Sequence, residues 1–86
     1  MQTFQSVQEV YEAVGKVRDG LRLTGDEASA EELSTVLDGY NTTATEWLIE
    51  LAEALKKTRS AWSTTLSLRR LGDHTIKEAT RLMNLR

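Results

Sequence analysis

The single histidine is the first residue to consider for chemistry. His74 precedes Glu78 by four residues, so on a helix the two side chains would share one face and could bind a metal ion as a pair. A metal site needs further ligands, and the last third of the sequence adds only Asp73. We interpret His74 as a turn residue that helps to start a helix, and we predict no metal site.

Other arrangements that support catalysis are incomplete. A Ser–His–Asp triad would have to join His74 to the adjacent Asp73 or to a distant acid, and the sequence contains no Gly-x-Ser-x-Gly motif. Glu46, Glu50 and Glu53 line one side of a predicted helix, but no glutamate precedes a histidine by three residues, as a di-metal bundle requires. Glycine-rich nucleotide-binding motifs are also missing. The sequence therefore predicts no catalytic or cofactor-binding residue and a protein that is not an enzyme.

Composition favours one small intracellular domain. The chain has 86 residues, which suits a single domain over residues 1–86, and it contains no cysteine and no proline. Without cysteine there is no disulfide, zinc-thiolate site or thiol nucleophile. The first residues lack the basic and apolar regions of a signal peptide, and no stretch is apolar enough to span a membrane. We expect a cytoplasmic protein with no cofactor and no membrane association.

Charge is divided unevenly along the chain. Residues 1–53 hold three basic and eleven acidic residues, whereas residues 54–86 hold eight basic and two acidic residues, so the formal charges are −8 and +6. The preferred interpretation is complementarity, in which the acidic part folds against the basic part within one chain or between two chains. The alternative is a basic face that binds nucleic acid or an acidic protein.

That basic face would draw on the last third of the sequence. Its candidate residues are Lys56, Lys57, Arg59, Arg69, Arg70, Lys77 and Arg81. Gly72 lies where a helix-turn-helix would need a turn glycine, but Asp73, Glu78 and Arg81 then fall at positions that this motif fills with apolar residues. The standard motif is therefore rejected, and a less regular nucleic-acid-binding face remains as the alternative.

Helix-start signals and apolar spacing predict an all-α fold. We expect a small antiparallel bundle of three or four helices at about residues 7–22, 29–39, 44–70 and 75–85. Four capping boxes, each with a glutamate three residues after a serine or threonine, begin at Ser6, Ser29, Thr43 and Thr75. Polar and apolar residues alternate weakly over residues 62–68, as they would in a strand, yet no glycine or proline interrupts this stretch, so we predict a continuous third helix. A bend or break near Ser60 is the alternative, and Gly72 is predicted to lie in a turn.

Heptad-like seams identify the expected core. The first helix carries Val7, Val10, Val14, Val17 and Leu21, and the third carries Leu48, Leu51 and Leu55. The second helix is expected to bury Leu33, Val36, Leu37 and Tyr40. Trp47 and Leu51 should be buried, whereas Ile49 lies almost opposite Leu51. Gly15 lies inside the first helix, where either close approach of another helix explains it or the glycine is simply tolerated.

These observations favour a non-catalytic protein–protein interaction module, such as a small regulator, an adaptor or an immunity-type inhibitor. Its partner would be another protein, and a homodimer is possible because the charge division is self-complementary. Ile49 and Leu68 lie off the main seams and are the candidate apolar interface. The alternatives are nucleic-acid binding through the basic C-terminal third and an enzyme subunit that a partner completes.

Overall fold

The computed structural model describes residues 3–39 and 43–84. Five α-helices and no strand occur in these two segments: α1 (Val7–Leu23), α2 (Glu27–Asp38), α3 (Ala44–Lys57), α4 (Arg59–Trp62) and α5 (Leu66–Asn84). The helices pack against one another, so the predicted all-α bundle is confirmed. The expected burial of Tyr40 and the last residue of the predicted helix 75–85 lie outside the described residues.

Helices α1 and α5 run in opposite directions. Leu68, near the start of α5, packs over Gly20, near the end of α1. Phe4, just before α1, instead donates its backbone N–H to the Glu78 carboxylate in the second half of α5, at 2.7 Å. These contacts at both ends place the two helices side by side and antiparallel.

Helices α2 and α3 are also antiparallel. The Trp47 indole N–H, near the start of α3, donates to the Val36 carbonyl near the end of α2 at 3.3 Å. Lys57 at the end of α3 pairs with Glu32 in the first half of α2 at 3.2 Å. Helix α3 also packs against α5, and α1 packs against α2, so these four helices surround one core.

The predicted seams form that core. The buried side chains of α1, α2 and α3 include Val10, Val14, Val17, Leu21, Leu33, Leu37, Leu48, Leu51 and Leu55. Val7, Val36 and Tyr11 pack half-buried at its edge. Trp47 and Leu51 are both buried, as predicted, and Ile49 is 45% exposed on the opposite side of α3. Apolar spacing of this kind indicates which side of a helix meets the others.

The predicted continuous third helix is wrong, because α3 ends at Lys57 and the alternative of a break is correct. The Thr58 hydroxyl donates to the Ala54 carbonyl at 2.9 Å, and α4 then turns the chain. Trp62 is completely buried, and its indole N–H donates to the Leu55 carbonyl and to the Thr58 hydroxyl oxygen, each at 3.1 Å. Burying this large ring with its polar group satisfied is the physical reason for the break.

The predicted turn at residues 71–74 is also wrong, because α5 passes through it without interruption. Gly72 lies inside this helix and beneath the Trp62 ring. A Cβ atom at position 72 would lie 2.6–2.7 Å from three atoms of that ring. Gly72 therefore allows a tryptophan to approach a helix backbone, and it does not end a helix.

Helix starts agree only in part with the predicted capping boxes. Thr43 caps α3 by accepting from the Glu46 N–H at 3.3 Å, as predicted. The Ser6 side chain makes no capping hydrogen bond. Asp26 caps α2 at the Ser29 N–H, so this helix starts two residues before the predicted position. Thr75 is buried within α5 and caps nothing. The tight connection before α2 uses Gly25, whose φ of +88° suits glycine.

The same substitution at two helical glycines is expected to have opposite effects. Gly72→Ala should lower the free energy of unfolding by about 1–3 kcal/mol, because the new methyl group overlaps Trp62. At Gly15 the nearest atom to an added Cβ is Arg18 Nη2 at 3.9 Å, so no helix approaches closely there. Gly15→Ala should therefore raise stability by up to ~1 kcal/mol through helix propensity. Urea denaturation measures both, and stabilisation by both substitutions would contradict the packing at Gly72.

Candidate functional site

The residues considered for metal binding or catalysis have separate structural partners. His74 packs edge-on against Phe4, with ring centroids 5.3 Å apart. The Asp73 carboxylate accepts two hydrogen bonds from Arg59, and the Glu78 carboxylate accepts from Phe4 and Arg81. No group of three or more metal-ligating side chains occurs within residues 3–39 and 43–84.

Glu78 fastens the segment before α1 to the side of α5. Its side chain is only 5% exposed, and its carboxylate accepts the Phe4 backbone N–H at 2.7 Å and Arg81 Nη2 at 3.1 Å. Arg81 also donates to the Phe4 carbonyl, so both backbone groups of Phe4 are bound. The hydrogen bond from the Phe4 N–H, and to a smaller extent the one from Arg81, hold the pKa of Glu78 below its usual range. Glu78 thus acts as a structural anchor.

Acid should weaken this anchor. Because the pKa of Glu78 is lower in the folded chain, its stabilising contribution is complete above the unfolded value of about 4.3 and is lost as pH falls through the folded value. Glu78→Gln should melt at a lower temperature than the wild type at neutral pH, and the difference should shrink below about pH 4. Thermal unfolding across pH measures this, with exposed Glu12→Gln as the control. A difference independent of pH would contradict the ionised anchor.

The predicted basic face is divided by intramolecular pairing. Four of its residues lie within ion-pair distance of carboxylates: Lys56 with Glu53 at 3.8 Å, Lys57 with Glu32 at 3.2 Å, Arg59 with Asp73 at 3.0 Å and Arg81 with Glu78 at 3.1 Å. Of these pairs, only Lys57 with Glu32 joins the acidic and basic parts of the chain across two helices, because Lys56 and Glu53 lie one turn apart on α3. The two acidic residues of the C-terminal third, Asp73 and Glu78, pair with Arg59 and Arg81.

Arg59 is the most constrained of these cations. Its guanidinium forms two hydrogen bonds of 3.0 Å with Asp73 and lies 5.7 Å from the centre of the Trp62 ring. Hydrogen bonding to Asp73, and then charge attraction to it, raise the pKa of Arg59. This pair bridges the break after α3 to the middle of α5, so its geometry serves the fold.

Arg69, Arg70 and Lys77 remain on the exposed side of α5. No carboxylate in the described segments pairs with them. Leu66, one turn before Arg69 and Arg70, is 53% exposed. The first turn of α5 therefore presents one apolar side chain beside two unpaired guanidinium groups.

Helices α2 and α3 form an acidic groove with an apolar floor, which we call the α2–α3 groove. It has a volume of about 430 Å³. Its apolar side chains are Val36, Ile49 and Ala54, and its acidic side chains are Glu32, Glu50 and Glu53. Glu50 has no basic partner in the described segments, and Glu53 pairs with Lys56 only at 3.8 Å. Both an apolar contact and carboxylate acceptors are therefore available to a ligand here.

The two predicted apolar interface residues are in different environments. Ile49 is exposed and lies in the α2–α3 groove. Leu68 is half-buried, and its side chain packs over Gly20, so packing within the chain accounts for it. Leu66, which was not among the predicted interface residues, is more exposed than Leu68. The signal that could have found it is its spacing of three and four residues from Arg69 and Arg70.

Two smaller clefts offer less to a partner. One of about 330 Å³ lies between α1 and α5, where Phe4, Ala13 and Leu71 meet Glu9, Glu12 and Lys16. Another, of about 220 Å³, lies between α1 and α2. Neither is lined by an exposed large apolar side chain, whereas the α2–α3 groove contains Ile49.

Within the described segments, no helix is long and apolar enough to cross a membrane. Comparison of the chain with protein-family models, curated proteins and solved structures finds no significant match. The functional assignment therefore depends on the surfaces described above.

Proposed function

We propose that the protein is a non-catalytic protein–protein interaction module whose α2–α3 groove binds a partner segment with apolar and basic side chains. The observation that carries this proposal is the exposure of Ile49, a large apolar residue, in a groove that Glu50 and Glu53 also line. An exposed apolar side chain in a groove gains contact area when a partner covers it.

The shape of the groove suits a helical ligand. Its lining follows α2 from residue 32 to 39 and α3 from residue 49 to 57. At 1.5 Å per residue, each side is roughly two helical turns long. Amphipathic helices bind such grooves through apolar side chains spaced three or four residues apart. A partner helix with this spacing would place its apolar residues on Val36 and Ile49.

Apolar contact and charge are expected to contribute differently. An exposed ion pair contributes only about 0–1 kcal/mol, so Glu50 and Glu53 alone cannot hold a partner. Burial of Ile49 and Val36 supplies affinity, while the carboxylates favour basic partners, orient them and speed their encounter. Added salt should therefore weaken binding moderately without abolishing it.

A synthetic amphipathic peptide, with leucines on one face and flanking lysines, is the appropriate probe. Fluorescence anisotropy should show binding to the wild type and clearly weaker binding of a matched peptide with glutamates in place of lysines. Glu50→Lys should weaken binding of the lysine peptide, whereas Glu12→Lys, the same change on the exposed side of α1, should not. Equal binding of both peptides, or equal effects of both substitutions, would contradict the proposal.

Nucleic-acid binding is the second candidate function, and the unpaired Arg69, Arg70 and Lys77 favour it. The continuity of α5 through Gly72 leaves no helix-turn-helix at this position. The logarithm of the binding constant for duplex DNA should fall linearly with the logarithm of the salt concentration. The slope should be about −0.9 for each phosphate contact. Arg70→Gln should reduce that slope if this candidate is correct, and a lack of DNA binding at low salt would reject it.

The proposed cellular location is the cytoplasm. The 86-residue sequence has no cysteine, as suits a protein that works in a reducing compartment. Fractionation of the native host, followed by detection with an antibody, tests this location. Recovery with the soluble cytoplasmic proteins is expected, and recovery with secreted or membrane proteins would contradict it.

A further inference from the structure

We propose that a second copy of this chain is a ligand of the α2–α3 groove, and that it inserts the first turn of its α5, with Leu66, Arg69 and Arg70. This inference rests on the proposed function and names one partner for the same groove. The resulting contact joins two different surfaces, one from each copy.

The two surfaces match in chemistry. Leu66 is 53% exposed and Ile49 is 45% exposed, so each offers an uncovered apolar side chain. Arg69 and Arg70 have no carboxylate partner in the described segments, and Glu50 has no basic partner there. Contact between the copies would therefore cover both apolar side chains and pair charges that have no opposite partner among residues 3–39 and 43–84.

The two surfaces are also similar in extent. Arg69 and Arg70 follow Leu66 by three and four residues, so all three side chains lie on one side of α5. On the other surface, Glu50 and Glu53 accompany Ile49 at offsets of one and four residues along α3. A groove of roughly two turns accommodates a ligand that contacts it through little more than one turn.

A single molecule does not make this contact with itself. No residue of α5 lines the α2–α3 groove, and neither Arg69 nor Arg70 pairs with Glu50 in the described segments. The groove and the first turn of α5 are thus separate surfaces, and a contact between them is heterologous. Each molecule offers one groove and one α5 turn, which allows two copies to exchange contacts or several to join in series.

The uneven charge of the sequence supports a second copy over other basic partners. The α2–α3 groove lies in the part of the chain with a formal charge of −8, except for its residues Ala54 and Lys57, and α5 lies in the part with +6. Whole-molecule repulsion is small because the net charge is only −2. Complementary surfaces on a nearly neutral molecule favour self-association.

Sedimentation of charge-reversal variants of the full chain tests the inference. The wild type should show a mass that rises with concentration into the high micromolar range. Glu50→Arg places a positive charge opposite Arg70, and Arg70→Glu places a negative charge opposite Glu50, so each variant alone should associate about tenfold more weakly or worse. Mixing the two variants restores opposite charges in both possible contacts, so the mixture should associate like the wild type.

Lys77→Glu is the matched control, because it reverses a charge two turns further along α5 and should leave association unchanged. Circular dichroism should show that all these surface variants remain folded. A wild type that stays monomeric throughout, or a mixture no more associated than its components, would overturn the inference. If the lysine peptide still binds the monomer, the proposed function stands without self-association; if that peptide also fails to bind, both proposals fall.

Discussion

Trp62→Ala is expected to lower the free energy of unfolding by about 3–5 kcal/mol, the range for removing a buried large aromatic side chain. Trp62 is completely buried, contacts Gly72 and donates its indole N–H to the Leu55 carbonyl and the Thr58 hydroxyl oxygen. A domain has only about 5–15 kcal/mol in total, so the variant should lose a large fraction of its stability. Urea denaturation followed by circular dichroism measures the loss.

Trp62→Phe is the matched control for this prediction. It keeps an aromatic ring over Gly72 but removes the indole N–H, so its loss should be clearly smaller than that of the alanine variant. In a straight third helix through residue 70, Trp62 would not reach Gly72. A loss below about 1 kcal/mol for Trp62→Ala, as is usual for exposed positions, would contradict the break after α3.

Leu51→Ala should have the next largest effect, with a loss of about 2–5 kcal/mol. Leu51 is fully buried in the middle of α3, and its removal would leave a cavity between the helices. Ile49 lies only two residues away but is 45% exposed, so Ile49→Ala should cost much less in the monomer. Denaturation at low protein concentration compares the two variants.

Protein concentration separates the two roles of Ile49. Association that requires the folded chain stabilises it more as concentration rises. If copies associate through the α2–α3 groove, the loss caused by Ile49→Ala should grow with concentration, while the loss caused by Leu51→Ala should remain large throughout. Large and equal losses at low concentration would show that the assignment of the buried side of α3 is wrong.

The bundle class and much of the core were predictable because they depend on local spacing. Val10, Val14 and Val17 recur as one side of a helix must, and all three are completely buried. Thr43 likewise caps α3 through contacts within four residues of itself. Such features are read from one segment at a time, and the packing of the other helices does not alter them.

The end of α3 and the role of Gly72 were not predictable in this way. No glycine or proline marks the break after Lys57, and the indole that stabilises it is satisfied by Leu55 and Thr58 only once the chain has turned. A glycine that ends a helix and one that admits a neighbouring ring look alike in sequence. Only the position of Trp62 over Gly72 distinguishes them.

The candidate site was likewise predictable only in part. The basic residues were identifiable by type, but the pairing of Lys57 with Glu32 and of Arg59 with Asp73 depends on how distant segments meet. Glu50 and Glu53 were predicted to line one side of one helix. They become one side of a groove because α2 packs beside α3 with Val36 near Ile49, and spacing within α3 contains no information about that neighbour.

Amide NMR of the labelled protein, titrated with the lysine peptide at a concentration where the protein is monomeric, tests the role of the groove most directly. Binding there should shift the amide signals of residues 32–39 and 49–57, while those of residues 69–77 on α5 should stay unchanged. Shifts centred on α5, or no shift at any saturating peptide concentration, would contradict the assignment of the α2–α3 groove as the binding site.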